Sequence, residues 1–548
     1  MAGIPKKPRG QAWRVLLFLF LLAGPAAVQA QYAYSLNADG VSITITDYTG
    51  PAGSVIIPSS INGYAVSGIA QDAFLNCQMT NVTIPGSVTV IGPEAFYQCG
   101  NLTTVAIPSS VTNFGAGAFA ACIDLKSITV AAQNVYYSSS QGILFDKGLD
   151  TLVEYPSGLT GSYTIPGTVT NLATGAFEGC TSLTHVTVPA SIASIGEYVF
   201  AYCYDMASVT LPATITNIAD HAFYGCNGLG SITIPANTTS IGTEAFYGCY
   251  DLASVTIPNS VTNIGAGPFE WCIGLKTISV AAENPSYSSL SGVLFDKSQD
   301  TVIQCPGGLN GSYTIPGSVN TISASAFAGC DSLKGIAIPP SVANIGDNAF
   351  YECYDLANIT IPGSVTNLGA NLFYGCDGLT NVTIASGITN IGSYDFYGCY
   401  GLTSVTVPAS VSSLGDGAFE WCVHLTNLYF LGNAPTADTT VFTHDADSPI
   451  IYYLPGTAGW SSSFAGEPAV LWNALIQVSD GNFGVQSNQF GFDVAGSANI
   501  PFVVEACTNL ANPLWTPLES ATLTNGLVYF SDSQWASFPT RFYRVSAP

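Results

Sequence analysis

The sequence predicts a β-rich repeat solenoid of 23-residue coils, with two hairpin insertions and a small C-terminal β-sandwich-like module. Three observations predict it. The element Phe-x-x-Cys occurs at Phe74, Phe96, Phe119, Phe177, Phe200, Phe223, Phe246, Phe269, Phe327, Phe350, Phe373, Phe396 and Phe419, each with its Cys three residues later. Most neighbours lie 23 residues apart, the first pair 22, and two gaps measure 58. Between copies, a short run alternates apolar and hydroxyl side chains, the period-2 pattern of a strand. A fixed period of about 20 to 30 residues marks a solenoid, whose coils bury their apolar faces only against one another.

Residues 1–30 read as a secretory signal. Lys6, Lys7, Arg9 and Arg14 precede the apolar run Val15 to Ala23, a Gly-Pro break and small residues ending Val28-Gln29-Ala30. That run is shorter than the roughly 20 residues a bilayer demands. No later segment is as long and apolar, so no membrane span is expected in the mature chain. No Cys lies near the cleavage point, which argues against a lipid anchor. The leader holds four of the eleven basic residues and none of the 35 acidic ones, which leaves 7 against 35, a net of −28. Nucleic acid and anionic membranes are poor partners for such a chain, because both demand clusters of Lys and Arg.

Residues 31–72 are expected to form an N-terminal cap and 73–427 the solenoid. In the unit beginning at Phe246, the side chains of Leu252, Val255 and Ile257 point inward, while Ser254 and Thr256 point outward. Pro258 stops the strand, having no N–H for the ladder. Val261 and Ile264 form a second inward pair, Gly265 permits a turn, Phe246 supplies a bulky wedge and Cys249 a small apolar filler. Sixteen positions fit the strand column from Ile57 to Phe430. At ~4.8 Å per stacked strand the array is expected to run roughly 75 Å.

A longer period overlies the short one. The 58-residue gaps follow Cys122 and Cys272, 150 residues apart, and the next equivalent is Cys422. Each gap inserts 35 residues with matching text, Gly142-Ile143-Leu144-Phe145-Asp146-Lys147 against Gly292-Val293-Leu294-Phe295-Asp296-Lys297. Each insert is expected to be a β-hairpin plus a further strand, budding from one side of a solenoid made by tandem duplication.

The repeated text Ala-Phe-x-x-Cys-x-x-Leu-Thr-x-Val-Thr-Ile-Pro-x-Ser-Val-Thr-x-Ile-Gly resembles the BspA-type leucine-rich repeats of bacterial and some protozoan surface proteins. The Leu-Phe-Asp-Lys inserts and the opening Gly40-Val41-Ser42-Ile43-Thr44-Ile45 to Tyr48-Thr49-Gly50 are similar too, so the likeness covers about residues 32 to 472. It implies extracellular or cell-surface roles such as adhesion and protein binding, and it names no ligand.

Residues 428–476 are expected to cap the solenoid, with Ile450 to Pro455 as another strand and Trp460 and Trp472 covering the last coil. Residues 477–548 show short alternating strands, Phe490 to Val494, Phe502 to Glu505 and Leu527 to Phe530, divided by Gly, Asn and Pro. Trp515 and the ending Arg541 to Val545 resemble terminal modules of secreted bacterial proteins.

The chemistry of catalysis is sparse. Thirteen of the fifteen cysteines occupy one column, no Cys-x-x-Cys occurs, and parallel side-chain directions favour a row of buried thiols over disulfides or zinc. Cys305 stands where the sister block has Tyr155, and Cys507 sits alone. The histidines, His185, His221, His424 and His444, form no metal-spaced pair. Asp445 and Asp447 read as a solvated loop with at most a calcium contact. No nucleophile elbow or phosphate loop occurs. No enzyme and no cofactor are therefore expected.

Two stripes remain. Ser208 and Thr210, Ser231 and Thr233, Ser254 and Thr256, Asn381 and Thr383, and Ser404 and Thr406 face out from the strands. They serve β-propensity and solubility, or a lattice for water, ice or glycan. Tyr224, Tyr247, Tyr351, Tyr374 and Tyr397 follow Phe, and Tyr204, Tyr250, Tyr354 and Tyr400 follow Cys. They are either core residues or rigid amphipathic anchors for an extracellular protein or glycan ligand. A binding or adhesion protein is the first reading; a structural surface or matrix protein without a specific ligand is the second.

Overall fold

A computed structural model describes residues 31–365, 368–444 and 448–548. The secretory leader and the Asp445/Asp447 pair lie outside the described residues. The chain winds as a succession of short strands, and three columns of residues hold it together.

The first column is the strand that alternation predicts. In Ser254–Ile257 the inward Val255 and Ile257 are buried and the outward Ser254 and Thr256 exposed. It pairs in parallel with Thr277–Val280, Ser254 against Thr277, so one coil of chain is one step of the stack. The column continues past the predicted Phe430 through Ile450–Tyr453 and Glu467–Leu471. It thins at Ser231, which makes a single bridge to Ser208. Gly228 and Gly230 precede that residue, and glycine is costly to hold extended. The second column is a two-residue strand, such as Asn263–Ile264 on Ser240–Ile241.

The third column is the Phe-x-x-Cys turn. The rings stack at van der Waals spacing, 4.8 Å between Phe74 and Phe96 and 5.2 Å between Phe223 and Phe246. The Phe223 N–H donates to the Ala245 carbonyl of the next coil at 2.8 Å. The Cys249 thiol donates to the Phe223 carbonyl of the preceding one at 3.4 Å. Phe442, which no Cys follows, adds a further ring 6.0 Å beyond Phe419. At the other end Tyr48 packs 5.2 Å from Phe74 and closes the ladder.

Gly265 does not serve a turn. A Cβ there would lie 2.3 Å from the Thr243 nitrogen of the preceding coil, and Gly115 and Gly415 meet the same limit. Glycine is required because two backbones touch. The abundant hydroxyls also work between coils, since Thr239 donates to the Thr216 carbonyl and Thr112 to that of Thr89.

The inserts do not bud from the side; they are threaded into the stack. Tyr137–Ser140 and Ile143–Asp146 form an antiparallel pair around Gln141 and Gly142, both at positive φ. Ile143–Asp146 pairs next with Thr151–Glu154, which rejoins the second column against Asn171–Leu172. Because side chains alternate, Leu144 enters the core before the insert while Ile143 and Phe145 enter the core after it. Leu294 against Val293 and Phe295 repeats the arrangement. Each insert is thus a septum, and the solenoid holds three consecutive cores.

Asn134 and Asn284 pin these septa. Asn284 is fully buried; its amide donates to the Pro258 and Val261 carbonyls, and its oxygen accepts from the Ser286 and Tyr287 N–H groups. Lys297 donates to the Asn284 carbonyl at 2.6 Å, and Asp296 accepts from the Asp300 and Thr301 N–H groups. That network accounts for the Phe-Asp-Lys text.

At the carboxyl end the two tryptophans divide. Trp460 stacks 5.0 Å from Tyr453 and donates to the Gly432 carbonyl, covering the last coil. Trp472 instead packs with Phe492, Val494 and Phe502 and donates to the Pro501 carbonyl at 2.8 Å. Leu475–Gln477, Gly484–Gln486, Gln489–Ala495 and Leu527–Asp532 form one antiparallel sheet; Pro501–Cys507, Thr516–Thr522 and Phe542–Ser546 form another. Their shared core includes Tyr429 and Tyr452, which take the outward strand positions that carry hydroxyls elsewhere.

Candidate binding surface

The tyrosines predicted as one stripe lie along the flank of the phenylalanine ladder. Tyr224, Tyr247, Tyr351, Tyr374 and Tyr397 are half-buried, whereas the preceding Phe is buried at every one of these turns. They form two ladders. Tyr224 and Tyr247 stack at 4.5 Å with planes 3° apart; Tyr351, Tyr374 and Tyr397 stack at 4.9 and 4.3 Å. Tyr250, Tyr354 and Tyr400 project further and are exposed, while Tyr204 is half-buried. The rings stand outside the core.

Sequence reasoning missed the residues that complete this flank. Those two before and two after each Phe adopt left-handed backbone, at φ 50° to 65° for Tyr198, His221, Glu244, Asn348, Tyr394, Tyr202, Trp271, Trp421 and His444. In other coils glycine holds these positions, as at Gly175 and Gly179. Bulky residues there carry a cost of about 1–2 kcal/mol each. The signal was available: these columns alternate glycine with Tyr, His, Trp and Glu.

Between the two ladders lies a cleft of about 250 Å³ lined by Tyr224, Glu244, Tyr247, Glu270, Trp271, Asn348 and Tyr351. Burial, then the neighbouring Glu244, pushes the Glu270 carboxyl up to about 7, against a hydrogen bond from Ser325. No basic residue lines the cleft apart from what His221 offers Glu244 at 3.4 Å. Glu178 shows a similar environment, held at about 7 by burial and Glu94 while Tyr97 donates to it.

The outward strand residues stay in register, Asn358 beside Asn381 and Thr360 beside Thr383, with a second shallow groove of about 290 Å³ among them. His185 sits on this face with Nδ1 2.8 Å from Ser208 Oγ. Among the described residues, no group of three or more His, Cys, Asp or Glu is arranged to hold a metal, and no helix is long and apolar enough to cross a membrane.

The model of the BspA type leucine rich repeat region matches in six copies over residues 52–143, 155–280 and 310–443, more than half of the chain. The chain belongs to this family. The breaks in the BspA-type match at 144–154 and 281–309 fall within the two septa. A leucine rich cell surface protein from Faecalibacterium prausnitzii is 30% identical, over 74% of this chain and 94% of that one, with a TM-score of 0.46. A leucine-rich repeat protein from Eubacterium ventriosum is 23% identical over 75% and 85%, TM-score 0.38. One from Bacteroides ovatus is 23% identical over 80% and 94%, TM-score 0.34. No curated protein matches the chain.

Proposed function

We propose that this BspA-type protein is exported by the leader at 1–30 and acts outside the cell or on its surface. There its repeat surface binds or adheres to a protein or glycan ligand. The observation that carries this reading is the flank of half-buried tyrosine rings stacked in register from coil to coil in two ladders. Equivalent contacts spaced one coil apart raise the effective concentration of each next contact, so weak sites add to firm retention. Family membership supports the same role.

In this reading 31–72 and 428–476 cap the solenoid of 73–427, the two inserts are hairpins joined to it, and 477–548 is a small β-sandwich. Two sheets around one core support the last assignment. The nine tyrosines Tyr204, Tyr224, Tyr247, Tyr250, Tyr351, Tyr354, Tyr374, Tyr397 and Tyr400 form the binding stripe. The test is a glycan and matrix-protein array probed with the purified chain from residue 31. Saturable retention on a defined subset is expected. A folded chain retained nowhere supports the structural role instead.

A further inference from the structure

The 150-residue duplication places one local constellation twice, and the two copies differ at two positions: Glu244 of the first is Tyr394 of the second, and the next coil supplies a different residue. Tyr247, Glu270 and Trp271 correspond to Tyr397, Glu420 and Trp421. In the second copy the next coil contributes His444, whose ring stacks on Trp421 at 4.8 Å with planes 3° apart and whose Nδ1 lies 3.0 Å from Glu420 Oε1. There an exposed planar nitrogen ring from the chain itself lies on the indole and beside the carboxylate.

In the first copy the matching position of the next coil is Gly329, at φ 67°. A Cβ there would lie 3.1 Å from Trp271 Cδ2, so this glycine sits against the indole and offers no side chain to cover it. Beside the half-buried indole, whose ring also meets Tyr354 edge-on at 6.4 Å, lies the cleft of about 250 Å³, where Tyr224, Tyr247, Tyr351 and Asn348 complete the walls around Glu244 and Glu270. Aromatic faces and desolvated carboxylates together attract a planar cation, by ring quadrupole and by charge-assisted hydrogen bonds. A net charge of −24 draws basic partners toward the whole chain.

We propose that the cleft between Trp271 and Glu270 receives an arginine side chain of a protein partner, in the manner His444 lies on the indole of the sister copy. The inference deepens the binding role above by giving one point on the flank a ligand chemistry. The guanidinium lies over the indole and directs its N–H groups to Glu270 and Glu244, and the tyrosine rings enclose its methylene stem.

The test is saturation-transfer difference NMR on the purified chain with Nα-acetyl-arginine amide, its neutral isostere Nα-acetyl-citrulline amide, and methyl glucoside. The arginine probe should bind at millimolar concentration, and the citrulline probe about ten-fold more weakly or not at all. Gly329→His, which copies the sister, should abolish arginine binding with the circular dichroism unchanged. Glu270→Gln, nearly isosteric, should weaken it at least about ten-fold and serves alone if the first variant fails to fold. Equal binding of arginine and citrulline, undiminished binding to Glu270→Gln, or preferential binding of the glucoside would overturn the proposal. An array hit without arginine preference would sink this subsite and leave the adhesive role standing; arginine binding without an array hit would do the reverse.

Discussion

Each cysteine of the repeat solves a small packing problem. The site between adjacent coils has room for one heavy atom beyond Cβ and a carbonyl to satisfy, and the thiol fills the space while donating weakly to that carbonyl, as Cys99 does to Phe74 at 3.1 Å. Burial pushes the Cys249 and Cys376 thiols up, so the native chain should leave them unreactive toward a thiol reagent until it unfolds; rapid native labelling of any column thiol other than the half-buried Cys77 would refute the packing. The sequence made the thiol row legible, because the column spacing forbids convergent pairs. It hid the meaning of Gly265, since a single coil reports local conformation and not the distance to the coil beneath. Carboxylates at this scale set the pH response. Glu154 is fully buried with Gln304 in the sister position, and burial followed by Glu178 raises its carboxyl. Glu178, Glu270 and Asp395 are held at about 7 and Asp331 at about 6, each chiefly by burial. All are raised in the folded state, so the native chain binds more protons than the unfolded one between pH ~4.5 and ~7. Their stability contribution is complete below the unfolded value and lost as pH rises through the folded one. The melting temperature should therefore be higher at pH 5 than at pH 8. Glu154→Gln should narrow that difference by raising the value at pH 8; a melting temperature that climbs with pH would contradict the linkage.

At the scale of the element, the two inserts decide how the solenoid is divided. A strand apolar on both faces, Val293-Leu294-Phe295, reads in sequence as a buried strand, and that much was legible. Its place as a wall was not, because alternation tells which side chains part company and not which cores they enter. Asn284 holds the wall through four hydrogen bonds, none of which water can replace at a fully buried site. Asn284→Ala takes the side-chain partner from the Val261 carbonyl and two N–H groups, while Pro258 keeps the Val261 N–H, and should cost about 2–4 kcal/mol, read as a lowered urea midpoint. An unchanged midpoint would mean that the septum is held by its apolar contacts alone. The flank of the Phe turn teaches the same lesson. Its tyrosines were visible from their spacing, whereas Trp271, Glu270 and Glu244 were overlooked because each is common elsewhere. Only the cleft brings them together.

For the whole molecule, the repeat fixes a line of like side chains, and function depends on which line meets the partner. A hydroxyl on the strand column can also serve the stack, as Thr129 does by donating to the Val105 carbonyl at 3.2 Å, and toward the carboxyl end that column packs through Tyr429 and Tyr452 on the terminal module. The rings of the flank stack on one another between coils and stay half-buried along both ladders. The direct comparison is between two variants on whichever array ligand retains the chain. One removes the flank through Tyr351→Ser, Tyr354→Ser, Tyr374→Ser and Tyr397→Ser; the other removes the strand lattice through Asn358→Ala, Thr360→Ala, Asn381→Ala and Thr383→Ala. With both folded by circular dichroism, the account predicts at least about a ten-fold loss of retention for the flank variant and little change for the lattice variant. Retention that survives the first and disappears with the second would place the binding face on the strands and contradict it.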